Sequence, residues 1–421
     1  MFNGLNNTYS LVNIVQEQIS MLLKANCEVK ILVSEHCPDE DRYGIFLDKR
    51  IEWVKVVNQK DKKRFQWKNY SKPSGIVHDT FFEEAEIIAQ DLITKLTDTD
   101  VCLMHDIHYQ GWHLVHNVAI RIVQEKLPDL RFIAFTHSIP ANRPLKVEWP
   151  FSARYTPMKN TIYVYPTTSG ISALAKQYDV PEGMCRVVNN TIDLSMFVNE
   201  EVKEIIRKIA LLSADYVVIY PARLTPAKKF EKVVSLCGVI KRMSEKKIKV
   251  IFCDFASTDI NSDYYKALIK VEGMNNGLSF DDMLFTSDIG FNKGISRQGV
   301  MELFSLSNLF ICPSFSESFG LTVLEAASQG NFLVLNQAVP ALEELGKKLN
   351  AYFMRWDARN FGYDTEESYH PFEQKYLEEH ALKIIKLLRE NPVILSKTEA
   401  RRRFCPDWVW HNQLEPIIKG L

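Results

Sequence analysis

Short apolar runs rich in β-branched and aromatic residues alternate with segments of helical period along most of the chain. This alternation predicts an α/β protein with mainly parallel sheets. Strands are predicted in the first half at 29–33, 101–104, 132–135, 162–165 and 186–188. In the second half they are predicted at 216–220, 249–253, 283–286, 309–312, 332–335 and 351–354.

Helical patterns fill the gaps between these strands. An apolar stripe from Leu11 to Leu23 predicts a helix that follows a loop at Gly4. A polar helical segment near 194–214 separates the two sets of strands. We therefore expect an N-terminal Rossmann-like domain at 1–194, a second at 195–400, and a C-terminal helix at 401–421 that packs back on the first domain.

Composition narrows the class of protein. A chain of 421 residues with 46% apolar content and a net charge of −1 suits two globular domains. These values exclude disulfide scaffolds, fibrous proteins and disordered chains, and they indicate no bulk attraction to nucleic acid or membranes. The eight cysteines form no CxxC pair and no apolar run could span a bilayer, so we expect a cytoplasmic protein.

The most informative stretch runs from the predicted strand at 309–312 into a helix that begins after Gly320. Gly320 permits close approach of a ligand, and the amides of Leu321 and Thr322 at a helix N-terminus form an anion site. Glu317 and Glu325 flank this helix start and suit the hydroxyls of a ligand with sugar and phosphate parts. The alternative is that Glu317 is a solvated loop residue and Glu325 a charge on the helix surface.

A second stretch, residues 220–229, follows the first strand of the second half. Arg223 and Lys228 are expected at the carboxyl edge of that sheet, where open α/β folds bind ligands. Two cations near a helix N-terminus suit a diphosphate. A solvated basic loop is the alternative.

Together these stretches resemble the retaining glycosyltransferases of family 4, which have the GT-B fold. The family's E-x7-E pair is matched by Glu317 and Glu325, and its R-L-x-P-x-K segment by residues 223–228. Residues 187–193, 326–330 and 339–344 are similar to three further family segments. The resemblance covers nearly the whole chain and implies two Rossmann-like domains that face each other across a cleft.

The resemblance also implies roles for individual residues. The donor, a UDP- or GDP-sugar, would be bound without a metal or other cofactor by Gly4, Arg223, Lys228, Glu317, Ser318, Phe319, Gly320, Leu321, Thr322 and Glu325. Glu325 would bind the ribose, Arg223 and Lys228 the diphosphate, and Glu317 the transferred hexose. Catalysis would depend on His137, Glu317, Arg223 and Lys228.

Histidines at predicted strand ends are candidates in the first domain. His137 matches the family's position for a histidine near the donor sugar, although a lone strand-end histidine is more often structural. His105 and Asp106 could line the acceptor side. His105, His108 and His113 lack the cysteine and the spacing of a zinc site, so no metal is expected.

The stretch from Trp53 to Lys72 interleaves aromatic and basic residues. Such a surface suits anionic lipid, a polyanionic glycan or nucleic acid. A solvated loop with aromatic anchors in the core is the alternative. We expect a glycan or lipid-linked acceptor, with peripheral membrane contact through this stretch, and no nucleic acid.

Departures from the family pattern concern space more than charge. Family members begin with a strand before the glycine loop, whereas only three residues precede Gly4, so we expect a natural chain that starts further upstream. Ala222 and Thr191 stand where glycine is usual.

Two alternatives to a transferase stay open: a glycoside phosphorylase or nucleotide-sugar epimerase of the same fold, and a catalytically silent sugar-binding or scaffold subunit.

Overall fold

The computed structural model describes residues 4–6, 8–65, 67–72, 75–141, 146–255, 261–356, 358–359, 365–366 and 373–420. It divides the chain into two compact units. The first comprises Met1–Ile192 with Pro406–Leu421, and the second comprises Asp193–Cys405. Each unit carries parallel sheets flanked by helices, which confirms the predicted α/β class.

The first unit alternates helices and strands along the chain. Its elements are α1 (Ser10–Lys24), β1 (Val29–Ser34), β2 (Ile51–Val56), α2 (Phe81–Leu96), β3 (Val101–His105), α3 (Leu114–Lys126), β4 (Arg131–Phe135), β5 (Thr161–Tyr165), α4 (Ile171–Tyr178) and β6 (Cys185–Val187). A short antiparallel hairpin joins Gln59–Lys60 to Lys63–Arg64. Strands β1 and β3–β6 were predicted within two residues at either end, and β2 was missed.

The strands of the first unit form two separate parallel sheets. β1 pairs with β2, and β3, β4, β5 and β6 pair in that order. β2 escaped prediction because Glu52 and Lys55 interrupt its apolar residues, although Val54 and Val56 face the core.

The second unit has one sheet and a longer run of helices. Its elements are α5 (Glu200–Ile209), β7 (Tyr216–Arg223), α6 (Phe230–Ser244), β8 (Ile248–Phe255), α7 (Ser262–Asn276), β9 (Met283–Phe285), α8 (Arg297–Leu306), β10 (Leu309–Cys312), α9 (Leu321–Ser328), β11 (Phe332–Asn336), α10 (Pro340–Lys348), β12 (Tyr352–Met354), α11 (Glu373–Glu390) and α12 (Pro392–Arg403). Short strands Ala358–Arg359 and Thr365–Glu366 pair antiparallel.

All six strands of the second unit's main sheet are parallel, in the order β9-β8-β7-β10-β11-β12. The first strand, β7, therefore lies in the middle, as in a doubly wound fold. Its central residues Val217, Val218 and Ile219 are fully buried, because helices cover both faces of the sheet. This places Arg223, at the end of β7, at the centre of the sheet's carboxyl edge.

The last segment of the chain returns to the first unit. It contains α13 (Pro406–Val409), a π-helical turn at Trp410–Leu414, and α14 (Glu415–Lys419). Arg131 donates to the carbonyl of Ile418, and the Asn189 amide donates to Gln413 Oε1 at 2.7 Å.

The expected start of this segment at 401 needs correction, because residues 401–403 end α12 in the second unit. Arg401 is held there by the carbonyls of Ala214, Asp215 and Leu306. Within the described part of the chain, no helix has the length and apolar character that crossing a membrane requires.

Candidate active site

The carboxyl edge of the second unit's sheet carries the first candidate cation. Arg223 is the last residue of β7 and pairs in register with Phe255, the last residue of β8. Its side chain is exposed and makes no ion pair with any described residue. An uncompensated guanidinium at this edge is available to an anionic ligand.

The second candidate cation lies in the turn that follows β7. Lys228 closes a short 3-10 turn, Pro226–Lys228, and its Nζ forms an ion pair with Glu317. The Lys228 carbonyl accepts a hydrogen bond of 2.8 Å from the buried hydroxyl of Tyr220. The structure thus brings together a lysine and a glutamate that lie far apart in the chain.

Backbone contacts hold the Glu317 loop against this turn. The Phe315 amide donates to the carbonyl of Ala227 at 3.2 Å, and the Asn336 side-chain amide donates to the Ser314 carbonyl at 3.2 Å. The Lys229 ammonium lies 5.3 Å from the Phe315 ring centroid. These contacts fix the positions of Glu317 and Lys228, and fixed charges are what an electrostatic site needs.

Gly320 is where this loop turns into α9. Its φ of +91° lies in the left-handed region, and an added Cβ would lie 3.2 Å from Val323 Cγ2. The helix begins at Leu321, whose side chain is 64% exposed, and the first N–H groups of a helix have no partner within it. Ser318 and Phe319 are likewise exposed beside it.

Glu325 lies one turn inside α9 with its side chain 18% exposed. Its Oε1 is 3.3 Å from Arg297 Nη2, the first residue of α8, and that arginine is 83% exposed. The sequence prediction missed Arg297, because nothing in a single arginine at a helix start marks it as a neighbour of Glu325. Because Arg297 is largely exposed, solvent screens this ion pair and weakens it.

Cys312 lies at the end of β10, next to the loop that carries Glu317, and its thiol is buried. Burial raises the pKa of Cys312 to about 12, and the negative charge of Glu317 adds to the effect. The thiol therefore stays neutral at physiological pH and leaves Lys228 as the charge partner of Glu317.

The first unit brings three of its four candidate residues together. His105 Nδ1 lies 3.0 Å from His137 Nε2, with the two rings stacked. Asp106, at a φ of +56°, accepts hydrogen bonds from the His137 amide at 2.8 Å and from Ser138 Oγ at 3.2 Å. Asp106 thus has a positioning contact with His137 in addition to its expected place on the acceptor side.

The electrostatics of this histidine pair favour neutral rings. Burial, with a smaller contribution from His137, lowers the pKa of His105 to about 3. Burial also lowers the pKa of His137, against the opposing charge of Asp106. Neutral imidazoles can accept as well as donate hydrogen bonds, which suits contact with sugar hydroxyls.

Gly4, the remaining candidate, lies beside the turn that follows β1. An added Cβ would lie 3.0 Å from Asp41 Oδ2, and the Leu5 amide donates to the same oxygen at 3.2 Å. No cluster of three or more metal-binding side chains occurs among the residues with described positions.

The stretch from Trp53 to Lys72 divides into a buried and an exposed part. Phe65 and Tyr70 are buried, and Trp67 packs against His113 and His116 with its Nε1 donating to Asn58 at 3.1 Å. The basic residues on the surface are Lys60, Lys62, Lys63, Arg64, Lys68 and Lys72. Phe65 and Tyr70 therefore belong to the core, as the alternative interpretation predicts, while Trp53 and Trp67 are half-buried.

One comparison with known proteins matches part of the second unit. The family model for glycosyl transferases group 1 matches residues 201–354, which include β7 and α9 with all four charged candidates. This part of the second unit is therefore similar to the glycosyl transferases of that group. A comparison with curated proteins gives no match.

Several solved structures resemble the chain at low identity. One from Rickettsia africae ESF-5 is 15% identical, with a TM-score of 0.36 over 99% of this chain and 96% of that one. Anabaena Alr3699/HepE, in complex with UDP and glucose, is 12% identical, with a TM-score of 0.32 over 97% and 95%. WaaG, involved in lipopolysaccharide biosynthesis, is 12% identical, with a TM-score of 0.32 over 99% and 98%. Likenesses at these scores carry no weight in assigning the function.

Proposed function

We propose that the protein is a retaining, metal-independent glycosyltransferase that moves a hexose from a nucleoside-diphosphate sugar to an acceptor hydroxyl. The observation that carries the proposal is the Lys228–Glu317 pair beside exposed Arg223 at the carboxyl edge of the β7–β10 sheet. Two cations, two carboxylates and a helix start here match the charges and hydroxyls of one nucleotide sugar.

Each group has a distinct role in the proposal. Arg223 and Lys228 bind the diphosphate and stabilise its negative charge as it leaves. Glu317 orients Lys228 in the free protein and binds a hydroxyl of the transferred sugar. Glu325 accepts hydrogen bonds from the ribose, and the first amides of α9 bind phosphate.

Retention follows from attack on the face that the diphosphate leaves. The acceptor oxygen bonds to the anomeric carbon while the carbon–phosphate oxygen bond breaks, and the departing phosphate takes the acceptor's proton. The protein contributes placement and fixed charge, so no covalent sugar–enzyme intermediate is needed. His137, supported by Asp106, binds a hydroxyl of the donor sugar.

The acceptor side belongs to the first unit in this proposal. A glycan or lipid-linked acceptor contacts His105, and the exposed basic residues between Lys60 and Lys72 approach an anionic membrane surface. All eight cysteines are free, which supports a reducing, cytoplasmic environment.

Donor binding and transfer are tested with single alanine variants of Arg223 and Lys228. Thermal-shift measurements with UDP, GDP, ADP and their sugars identify the base, since a ligand at 100 times its dissociation constant stabilises by about 2.7 kcal/mol. Each variant should lose most of that shift and transfer roughly 10²- to 10³-fold more slowly.

Lys347→Ala is the matched control, because this α10 lysine is 65% exposed and pairs with Glu343 within its own helix. It should leave both the shift and transfer unchanged. Full transfer by both the Arg223 and the Lys228 variants would refute the proposal. Nucleotide binding without any turnover, across a panel of sugars and acceptors, would favour a silent sugar-binding subunit.

A further inference from the structure

Strand β8 ends on an aromatic side chain at the edge of the sheet where the proposed donor site lies. Residues 250–254 of this strand are buried, whereas its last residue, Phe255, is 41% exposed. Phe255 pairs in register with Arg223, the last residue of β7. Because neighbouring strands of a sheet lie about 4.8 Å apart, the phenyl ring and the guanidinium start from adjacent positions of the backbone.

The backbone of a glycine covers one side of this side chain. A Cβ added at Gly294 would lie 3.5 Å from Phe255 Cβ and 3.8 Å from Phe255 Cδ1. Within the described part of the chain, no second aromatic ring and no cation contacts the Phe255 ring. The exposed part of the ring is therefore available to a ligand.

Hydrogen bonds fix the loop that carries this glycine to the end of β8. The buried carboxylate of Asp254 accepts hydrogen bonds from the Ser287 amide at 3.0 Å and from the Ser287 hydroxyl at 2.6 Å. The Phe291 amide donates to the Thr286 carbonyl at 3.1 Å, and the Gly294 amide donates to the Phe291 carbonyl at 2.8 Å. These contacts hold the loop and the strand end together as one wall of the site.

The same loop leads to the carboxylate that the proposed function assigns to the ribose. Three residues after Gly294, Arg297 begins α8, and its Nη2 lies 3.3 Å from Glu325 Oε1. The connection is anchored by Ser296, whose amide donates to Glu201 at 3.1 Å and whose hydroxyl accepts from an amide in the first turn of α8 at 3.0 Å. A ribose at Glu325 would therefore lie beside the loop that contacts the phenyl ring.

The positions of the diphosphate and the ribose leave the end of β8 for the base. β8 and β10 flank β7, so their ends lie about 10 Å apart, a distance that one nucleotide can bridge. Charge separates the parts of the ligand in the same way. The cations Arg223 and Lys228 suit the diphosphate, whereas an uncharged phenyl ring suits the planar base.

We propose that Phe255 binds the nucleobase of the donor by stacking, while the backbone of Gly294 supports the phenyl ring from its other side. The assignment rests on the proposed function and extends it to the part of the nucleotide for which that function names no residue. Every base has a π-face, so stacking favours nucleoside-diphosphate sugars of any base over sugar phosphates without a base. Phe255 thus selects the class of donor and leaves the identity of the base to other contacts.

Three variants test this stacking. Phe255→Leu removes the ring and keeps an apolar side chain, Phe255→Tyr keeps the ring, and Phe280→Leu is the matched control. Phe280 is 58% exposed and lies in the turn before β9, at the opposite edge of the sheet. Circular dichroism checks the fold of each variant, and titration calorimetry measures its dissociation constants for UDP, GDP and ADP.

Phe255→Leu should weaken binding of whichever nucleotide the unmodified protein binds by about 5- to 150-fold. At about 1.4 kcal/mol per tenfold, this corresponds to the roughly 1–3 kcal/mol of base–aromatic stacking. Phe255→Tyr and Phe280→Leu should bind within about twofold of the unmodified protein, since both keep the stacking ring. Proton NMR gives a direct readout, because the ring current of Phe255 should shift the base protons upfield, and Phe255→Leu should abolish that shift.

Equal affinity of Phe255→Leu and the unmodified protein would overturn the stacking and leave the proposed function standing. An equal loss of affinity in Phe280→Leu would overturn it too, because the effect would not belong to this edge of the sheet. Upfield shifts of the ribose protons alone would show that the ring faces the sugar and would also overturn it. If the unmodified protein binds none of the three nucleotides, the proposed function itself fails, and the stacking fails with it.

Discussion

Replacing Gly320 with alanine tests whether the start of α9 depends on a backbone that only glycine adopts readily. At a φ of +91°, an L-residue costs about 1–2 kcal/mol. The added Cβ would also lie 3.2 Å from Val323 Cγ2 and 3.3 Å from Leu342 Cδ2, and crowding of this kind adds about 1 kcal/mol or more. Alanine restricts the unfolded chain, which offsets about 0.4–1 kcal/mol. We expect a net loss of about 2 kcal/mol.

Two other glycines separate the cost of the left-handed backbone from the cost of the close contacts. Gly290 has a φ of +101° and no heavy atom within 4 Å of an added Cβ, so Gly290→Ala isolates the backbone cost. Gly183 also has open space around it and no left-handed φ, so Gly183→Ala should be neutral or slightly stabilising. The three variants should therefore rank Gly320→Ala, Gly290→Ala, Gly183→Ala in order of decreasing destabilisation.

Urea unfolding followed by tryptophan fluorescence and circular dichroism measures the ranking. Thermal shift with the nucleotide that binds the unmodified protein measures the site, and Gly320→Ala should weaken that shift while Gly290→Ala leaves it intact. Equal losses for Gly320→Ala and Gly290→Ala would refute the contact argument. Unchanged stability of both would refute the backbone argument.

The structure supports two further predictions. Arg401→Met should lower the free energy of unfolding by about 3 kcal/mol, because it leaves the buried carbonyls of Ala214, Asp215 and Leu306 without their donor. Arg403→Ala is the control, since this side chain is 61% exposed, and it should lower the free energy of unfolding by under about 1 kcal/mol in the same urea assay. Burial lowers the pKa of both His108 and His116 to about 3, so below about pH 6.5 the unfolded chain binds protons that the folded chain does not. The stabilisation from these neutral histidines should be complete above that pH, and the free energy of unfolding should fall toward pH 3 by about 1.4 kcal/mol per pH unit for each histidine. His116→Gln should flatten the slope of this free energy between pH 7 and 5. His411→Gln, at a side chain 68% exposed, should leave that slope unchanged.

The sequence by itself determined the fold class and most elements. Runs such as Val217–Ile219 are apolar at every position, as is typical of a strand that is buried on both faces. The period and composition of the sequence were therefore enough to predict these strands. β2 was missed because Glu52 and Lys55 interrupt its run of apolar residues. A strand is thus identified most readily when its apolar run is unbroken.

The candidate site shows the same division. The chemistry of Arg223, Lys228, Glu317 and Glu325 is visible in the chain, because charged residues beside a strand end and a helix start are local signals. The sequence around each residue does not show which of these side chains lie next to one another. The pairs Lys228–Glu317 and Arg297–Glu325 exist because parallel strands bring distant loops to one edge of a sheet.

Tertiary structure alone decided which side of each segment faces the core. The aromatic residues between Trp53 and Lys72 alternate with lysines in the chain, yet Phe65 and Tyr70 are buried and the lysines are exposed. Burial and pairing are relations between segments, so they arise only when the chain has folded.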